Sequence, residues 1–212
     1  MKSYGDGVRR FLAWADGEGR PAVLDRASVT AFTAALLDVG AGRELRDRRG
    51  EALLRLMIET GVRAGEVVAL GTGDVDLSTG TAVVRRGKGG RGRVVPFGPQ
   101  TARALDRYLR ARRGHRLADT PALWLGDRGK AFCYDALHKT LGERARTSGI
   151  EGSRPHRLRH TAAHRWLAAS GSEGGLMAVA GWTRPDMLLR YTRAQASARA
   201  AAEARALGLG DF

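Results

Sequence analysis

The sequence predicts a mainly α-helical protein with a small antiparallel β-sheet, an α+β class. Three observations carry that expectation. Apolar residues recur at helical spacing through most of the chain. Between residues 74 and 97 the period drops to two, about a glycine-rich turn. The chain has 212 residues, 43% hydrophobic and 27% charged, which is ordinary for one folded domain with room for a small second one.

The first helix is expected over 7–15, where Val8, Phe11, Leu12 and Ala15 share a face and Arg9 and Arg10 point outward. Gly17, Gly19 and Pro21 end it. A second helix covers 25–38, with Ser28 as a candidate N-cap and Gly40 and Gly42 closing it. Two helices in about 40 residues cannot bury enough surface to stand alone. Residues 46–60 form the first strongly periodic helix, with Ala52, Leu53, Leu56, Met57 and Thr60 on one face. Gly61 suits the position just past its end. Arg63 sits in the turn that follows, before a short helix, and Glu66 can reach back to it.

A short strand is expected over 74–77 and a turn at Thr79-Gly80. Residues 82–86 and 93–97 then make a hairpin about the turn 87–92, with Lys88 at its tip. A phosphate-cradling P-loop is excluded there. Gly89 follows Lys88 where Ser or Thr is required, and Ala82 stands where the first glycine should be. A helix over 99–113 starts at Pro99, turns Ala102, Leu105 and Leu109 inward and ends in Arg110, Arg112 and Arg113. Residues 121–125 are extended. The helix at 135–147 points Ala136, Leu137 and Leu141 inward and Lys139, Arg144 and Arg146 outward. Helices follow at 156–170, 173–180 and 185–191, with an alanine-rich one at 195–207.

Charge narrows the function. Thirty-six Lys and Arg against 22 Asp and Glu give +14 and a pI near 11.2. A field of that sign is the footprint of a nucleic-acid binder, although an Arg/Ala/Gly-rich composition supplies part of it without any such role. The aromatic content of 6% and the lack of an RNA-motif pattern disfavour an RNA-stacking protein. The single cysteine, Cys133, excludes a disulfide framework and a cysteine-based zinc site. The N-terminus has no apolar core of a signal peptide, and no apolar run reaches membrane-spanning length. The expectation is a soluble, cytoplasmic protein with no membrane partner.

The segment 154–192 concentrates the chemistry. His156 and Arg159 lie one turn apart and His160 follows at once. Gly181-Trp182 comes later, then Tyr191. A base, a phosphate-grade cation and a phenol in one segment suggest phosphoryl transfer through a covalent tyrosine. His156, His160 and His164 also have metal-ligand spacing on a helix, but His160-Thr161-Ala162-Ala163-His164 lacks the glutamate of the zinc-protease motif.

Four blocks in order make the chain resemble the catalytic domain of tyrosine recombinases, the phage integrase family. They are Thr60-Gly61-Val62-Arg63-Ala64-Gly65-Glu66, the hairpin Lys88, Pro155-His156-Arg157-Leu158-Arg159-His160-Thr161, and Gly181-Trp182 with Arg190-Tyr191-Thr192. The resemblance covers roughly residues 43–212. It implies a catalytic domain preceded, over 1–42, by part of a helical core-binding (SAM-like) segment, so the usual DNA clamp looks cut short.

The resemblance also assigns roles. Tyr191 is the nucleophile that forms a 3′-phosphotyrosyl bond. His156 is the base or proton shuttle that helps a phenol of pKa about 10. Arg63 and Arg159 grip the phosphate oxygens, Lys88 protonates the leaving 5′-oxygen, and Trp182 packs on the phosphate region and donates its indole N–H. Glu66 orients Arg63, and His160 contacts phosphate or braces the site. Arg157, Arg184 and Arg91 contact DNA, though Arg157 and Arg184 also read as solvated surface charges. The implied function is site-specific cleavage and rejoining of double-stranded DNA, with no metal or other cofactor, by a monomer that assembles as a homo-tetramer on DNA. The alternative is a truncated, non-catalytic DNA-binding relic or regulator of recombination sites.

Overall fold

The computed structural model describes residues 34, 37, 42–85, 92–147, 155–186, 188 and 196–208. The expected helix over 7–15 therefore lies outside the described residues, and of the helix over 25–38 only Ala34 and Leu37 are described, both helical. The elements run α1 Leu45–Thr60, α2 Ala64–Val68, β1 Val75–Asp76, β2 Thr81–Val84, β3 Arg93–Pro96, α3 Pro99–Arg112, α4 Tyr134–Thr147, α5 Pro155–Ala168, α6 Glu173–Ala180 and α7 Ala196–Ala206. The class is the expected one: mostly helical, with a three-stranded antiparallel sheet ordered β1-β2-β3.

Helix α1 is the hub. It packs against α3, α4 and α5, so the single inward face expected of it is widened. Leu54 and Ile58 are buried along with Ala52, Leu53, Leu56 and Met57. A helix surrounded on most sides is apolar most of the way round. It stops at Gly61, whose φ of 64° is the left-handed conformation glycine adopts without strain, and whose N–H donates to the Met57 carbonyl at 3.0 Å.

The sheet shows the period of two directly. Ala82, Val84 and Val95 are buried, while their neighbours Val83 and Val94, paired across β2 and β3, are exposed. Trp124, in the extended stretch after α3, is buried and donates its indole N–H to the Val67 carbonyl at 2.7 Å. Tyr108 of α3 donates to the Leu123 carbonyl at 3.0 Å and accepts from the Leu125 N–H at 2.9 Å. These bonds satisfy polar groups that burial would otherwise penalise.

Arg144 corrects the sequence reading. It does not point outward from α4: it is buried and donates to the Asp47 carbonyl at 2.7 Å, tying α4 to the start of α1. Helical spacing places a residue on a face, but a long guanidinium can still turn in to a backbone acceptor that periodicity does not show.

A second, smaller core holds Ala163, Leu167, Leu176, Ala180, Trp182 and Leu188. It fastens α6 to α5. Ser172 caps α6, its hydroxyl accepting from the Gly175 N–H at 3.1 Å.

Candidate active site

The C-terminal end of α6 is where the candidate residues gather. A helix leaves its last carbonyls without intrahelical partners and concentrates partial negative charge there. Here three successive carbonyls each receive an arginine from a different element. Arg93 Nε donates to Val179 at 2.8 Å, Arg159 Nη2 to Ala180 at 2.5 Å, and Arg63 Nη2 to Gly181 at 3.2 Å. Gly181 ends the helix with φ 62°, and a Cβ there would lie 3.0 Å from Arg93 Cζ. Glycine is needed for both reasons.

Arg63 is the N-cap residue of α2, and Glu66 is its third helical residue. The Glu66 carboxylate joins two of the arginines. Its Oε1 accepts from Arg63 Nη1 at 2.8 Å and Arg93 Nη1 at 3.0 Å. Its Oε2 accepts from the Arg63 backbone N–H at 2.8 Å and Arg93 Nη2 at 2.7 Å. Those donors fill the roughly four lone-pair positions a carboxylate offers. The Glu66 side chain is only 6% exposed. Burial pushes its pKa up, but the bonds from Arg93 and Arg63 outweigh burial and hold it at about 2. Three guanidiniums against this one carboxylate leave the cluster a formal +2.

Arg159 reaches the cluster from α5. It is buried, its Nη1 donates to the Gly61 carbonyl at 2.6 Å, and its guanidinium lies 5.3 Å from the ring centre of buried Trp182. That stacking is favourable in a desolvated place. The Arg63 side chain, by contrast, is 31% exposed. Two guanidiniums thus stand on adjacent carbonyls, one buried and one partly open to solvent.

His156 is exposed in the first turn of α5, three residues before Arg159, so both lie on one side of the helix. Its ring meets that of His160 edge to face at 4.5 Å. One turn further, burial pushes the His164 pKa down and favours its neutral form. Among the described residues, no three His, Cys, Asp or Glu side chains group as a metal site. Arg184 is exposed and pairs with Asp186 at 2.8 Å.

The structure thus brings together Arg63, Glu66, Arg159 and Trp182, with His156 and His160 on the helix that carries Arg159. Lys88, Arg91 and Tyr191 lie outside the described residues, as does the side chain of Arg157. The residue that sequence reasoning missed is Arg93. A signal existed: Arg93 and Val95 share the inward face of β3, and a charge on such a face requires a partner. Reading 93–97 only as a hairpin strand concealed it.

Comparison with known proteins identifies the family and the fold. The profile of the Phage integrase family matches residues 24–198. Tyrosine recombinase XerD of Ralstonia nicotianae is 40% identical over 152 residues, 69% of this chain and 47% of that protein. Tyrosine recombinase XerC of Chromobacterium violaceum is 35% identical over 176 residues, 82% of this chain and 57% of that protein. The chain spans about half the length of these curated relatives. The crystal structure of XerA recombinase superposes with a TM-score of 0.67 at 27% identity, over 76% of this chain and 57% of that one. XerH recombinase bound to its difH substrate shares the fold, with a TM-score of 0.67 at 19% identity, over 79% of this chain and 49% of that one. The chain belongs to the phage integrase family, the tyrosine recombinases.

Proposed function

We propose that this chain cleaves and rejoins double-stranded DNA at specific sites through a 3′-phosphotyrosyl intermediate, with residues 43–212 as the catalytic domain and 1–42 as part of a core-binding segment. The observation that carries the reading is the placing of Arg63 and Arg159 on adjacent carbonyls at the end of α6, in a cluster of net positive charge. Fixed cations aimed at one place stabilise charge that develops on a phosphate in the transition state.

The Tyr191 oxygen attacks the scissile phosphorus, the bond from phosphorus to the 5′-oxygen breaks, and a 3′-phosphotyrosyl ester forms. Arg63 and Arg159 hold the non-bridging oxygens as negative charge builds on them. His156 takes the phenol proton, and Lys88 delivers a proton to the leaving 5′-oxygen. Trp182 walls the phosphate region and keeps Arg159 oriented by stacking. His160 braces His156, and Glu66 orients Arg63. Arg157, Arg184 and Arg91 supply contacts to the DNA backbone. Rejoining reverses the step: a 5′-hydroxyl attacks the phosphotyrosyl ester and releases the tyrosine. The ester conserves the bond energy, so the cycle is isoenergetic. Strand exchange between two duplexes takes four protomers, assembled on DNA from monomers.

A pool of nicked suicide duplexes, randomised across the binding site, tests the reading. Wild-type protein in EDTA is expected to form an SDS-resistant protein–DNA adduct that is lost in Tyr191→Phe. Salt-sensitive DNA binding without any adduct from the wild type overturns it.

A further inference from the structure

We propose that Arg93 is a positioning residue for Arg63, keeping it on the end of α6 by sharing the Glu66 carboxylate; this rests on the catalytic reading of Arg63 above. The bonding pattern argues for it. Each Glu66 oxygen accepts one bond from Arg93 and one from Arg63. Arg93 makes the two-pronged contact, through Nη1 and Nη2. Arg63 reaches Glu66 with Nη1 and its backbone N–H, which leaves Nη2 directed at the Gly181 carbonyl.

Take Arg93 away and both carboxylate oxygens lose a donor while remaining buried. A buried carboxylate short of donors draws in the nearest one available. That donor is Nη2 of Arg63, whose bond to Gly181, at 3.2 Å, is the longest in the cluster. The guanidinium would rotate to grip Glu66 with both prongs and leave the end of α6. A displacement of this kind removes Arg63 from the phosphate position without removing its charge.

Arg93 is also built into α6 itself. Its Nε donates to the Val179 carbonyl at 2.8 Å, and its guanidinium carbon lies 3.0 Å from where a Cβ on Gly181 would fall. Its side chain is 11% exposed. It is the first residue of β3, five positions after Lys88 in the sequence. One side chain therefore links the Val84 end of the β2–β3 ladder, the Arg63 turn and the end of α6. Three segments that are far apart in the chain share it.

The test compares Arg93→Gln and Arg93→Lys with wild type by single-turnover adduct formation at saturating suicide duplex, with DNA affinity measured separately. Arg93→Gln is expected to slow adduct formation roughly 10- to 100-fold, the scale of a misplaced catalytic group, while DNA affinity stays near wild type. Arg93→Lys, which keeps the charge but not the fork, falls between. The acid limb of the rate profile moves to higher pH in Arg93→Gln, because Glu66 loses half of its donors. A purely structural role would lower thermal stability and leave the rate and its pH profile unchanged.

Arginine side-chain NMR of the DNA-free protein gives a reading that does not depend on activity. The Arg63 signals are expected to shift in Arg93→Gln. An unchanged rate overturns the proposal, and so does a rate that falls only in step with affinity. If Arg93→Gln does not fold, Arg93→Lys decides by the same measures, and wild-type behaviour there overturns it. If wild type forms no adduct, the catalytic reading fails by itself, and Arg63 signals that do not move in the variant then overturn the positioning role.

Discussion

Arg112 and the arginines of the α6 cluster all donate to backbone carbonyls, but over different spans of chain. Arg112 is buried and bonds the carbonyls of Ala118, Thr120, Ala122 and Leu123, all within the loop that follows its own helix. It closes that loop locally and carries no carboxylate partner among those bonds. Arg63, Arg93 and Arg159 instead reach carbonyls at Gly181, Val179, Ala180 and Gly61, far away in the chain. They share Glu66 or stack on Trp182, and they leave net positive charge at one place. In so basic a chain, the difference separates an arginine that closes one loop from arginines that converge on one site. Arg112 staples one loop, as Arg144 staples α4 to α1, whereas the α6 cluster brings guanidiniums from three elements to one place.

The largest expected effect breaks the comparison if it fails. Arg159→Ala should slow adduct formation by about 100- to 1000-fold per folded molecule, the loss typical of one transition-state donor. Arg112→Met should leave that rate intact and cost about 3–5 kcal/mol of stability, because several buried carbonyls lose their donor. Urea denaturation together with single-turnover cleavage separates the two. Equal losses of rate in both variants would erase the distinction.

A smaller effect concerns pH. The Glu66 pKa falls from 4.5 to about 2 on folding, so its pairing stabilises the protein above about 4.5. That contribution, on the order of 3 kcal/mol, is lost as pH drops from 4.5 towards 2. Glu66→Gln should flatten the stability curve over that window and lower stability at neutral pH, where Arg63 and Arg93 would face each other without the carboxylate. A curve as steep as wild type would show that other carboxylates govern the acid transition.

The smallest effect sharpens the geometry. Gly181→Ala adds a Cβ at positive φ, 3.0 Å from Arg93 Cζ. It should cost about 1–2 kcal/mol from the backbone alone. It should also shift Arg93, and with it the Arg63 signals in side-chain NMR. A loss of stability without that shift would mean the end of α6 and Arg93 are not coupled.

Local order was largely legible. The helix expected over 173–180 is α6, residue for residue, because Ser172 caps it and Gly181 stops it. Pro99 and the β-branched runs placed α3 and the hairpin strands within a residue or two. Arg63, Glu66, Arg159 and Trp182 were singled out by motif, and they meet. Periodicity failed where side-chain length overrides it. Arg144 turned inward, Arg112 at the basic end of α3 is a buried staple that spacing did not show, and Arg93 was not seen at all.

The sequence by itself determined most element types, the family and which residues are proposed to bear the chemistry. Those rest on short-range sterics, caps and spacing, which act within a few positions of each residue. Only the tertiary structure decided which arginine meets which carbonyl, and that Glu66 serves Arg93 as well as Arg63. Those choices depend on which donors packing brings to the unpaired carbonyls at the end of α6, and Arg63, Arg93 and Arg159 reach them only once α2, β3 and α5 close around it.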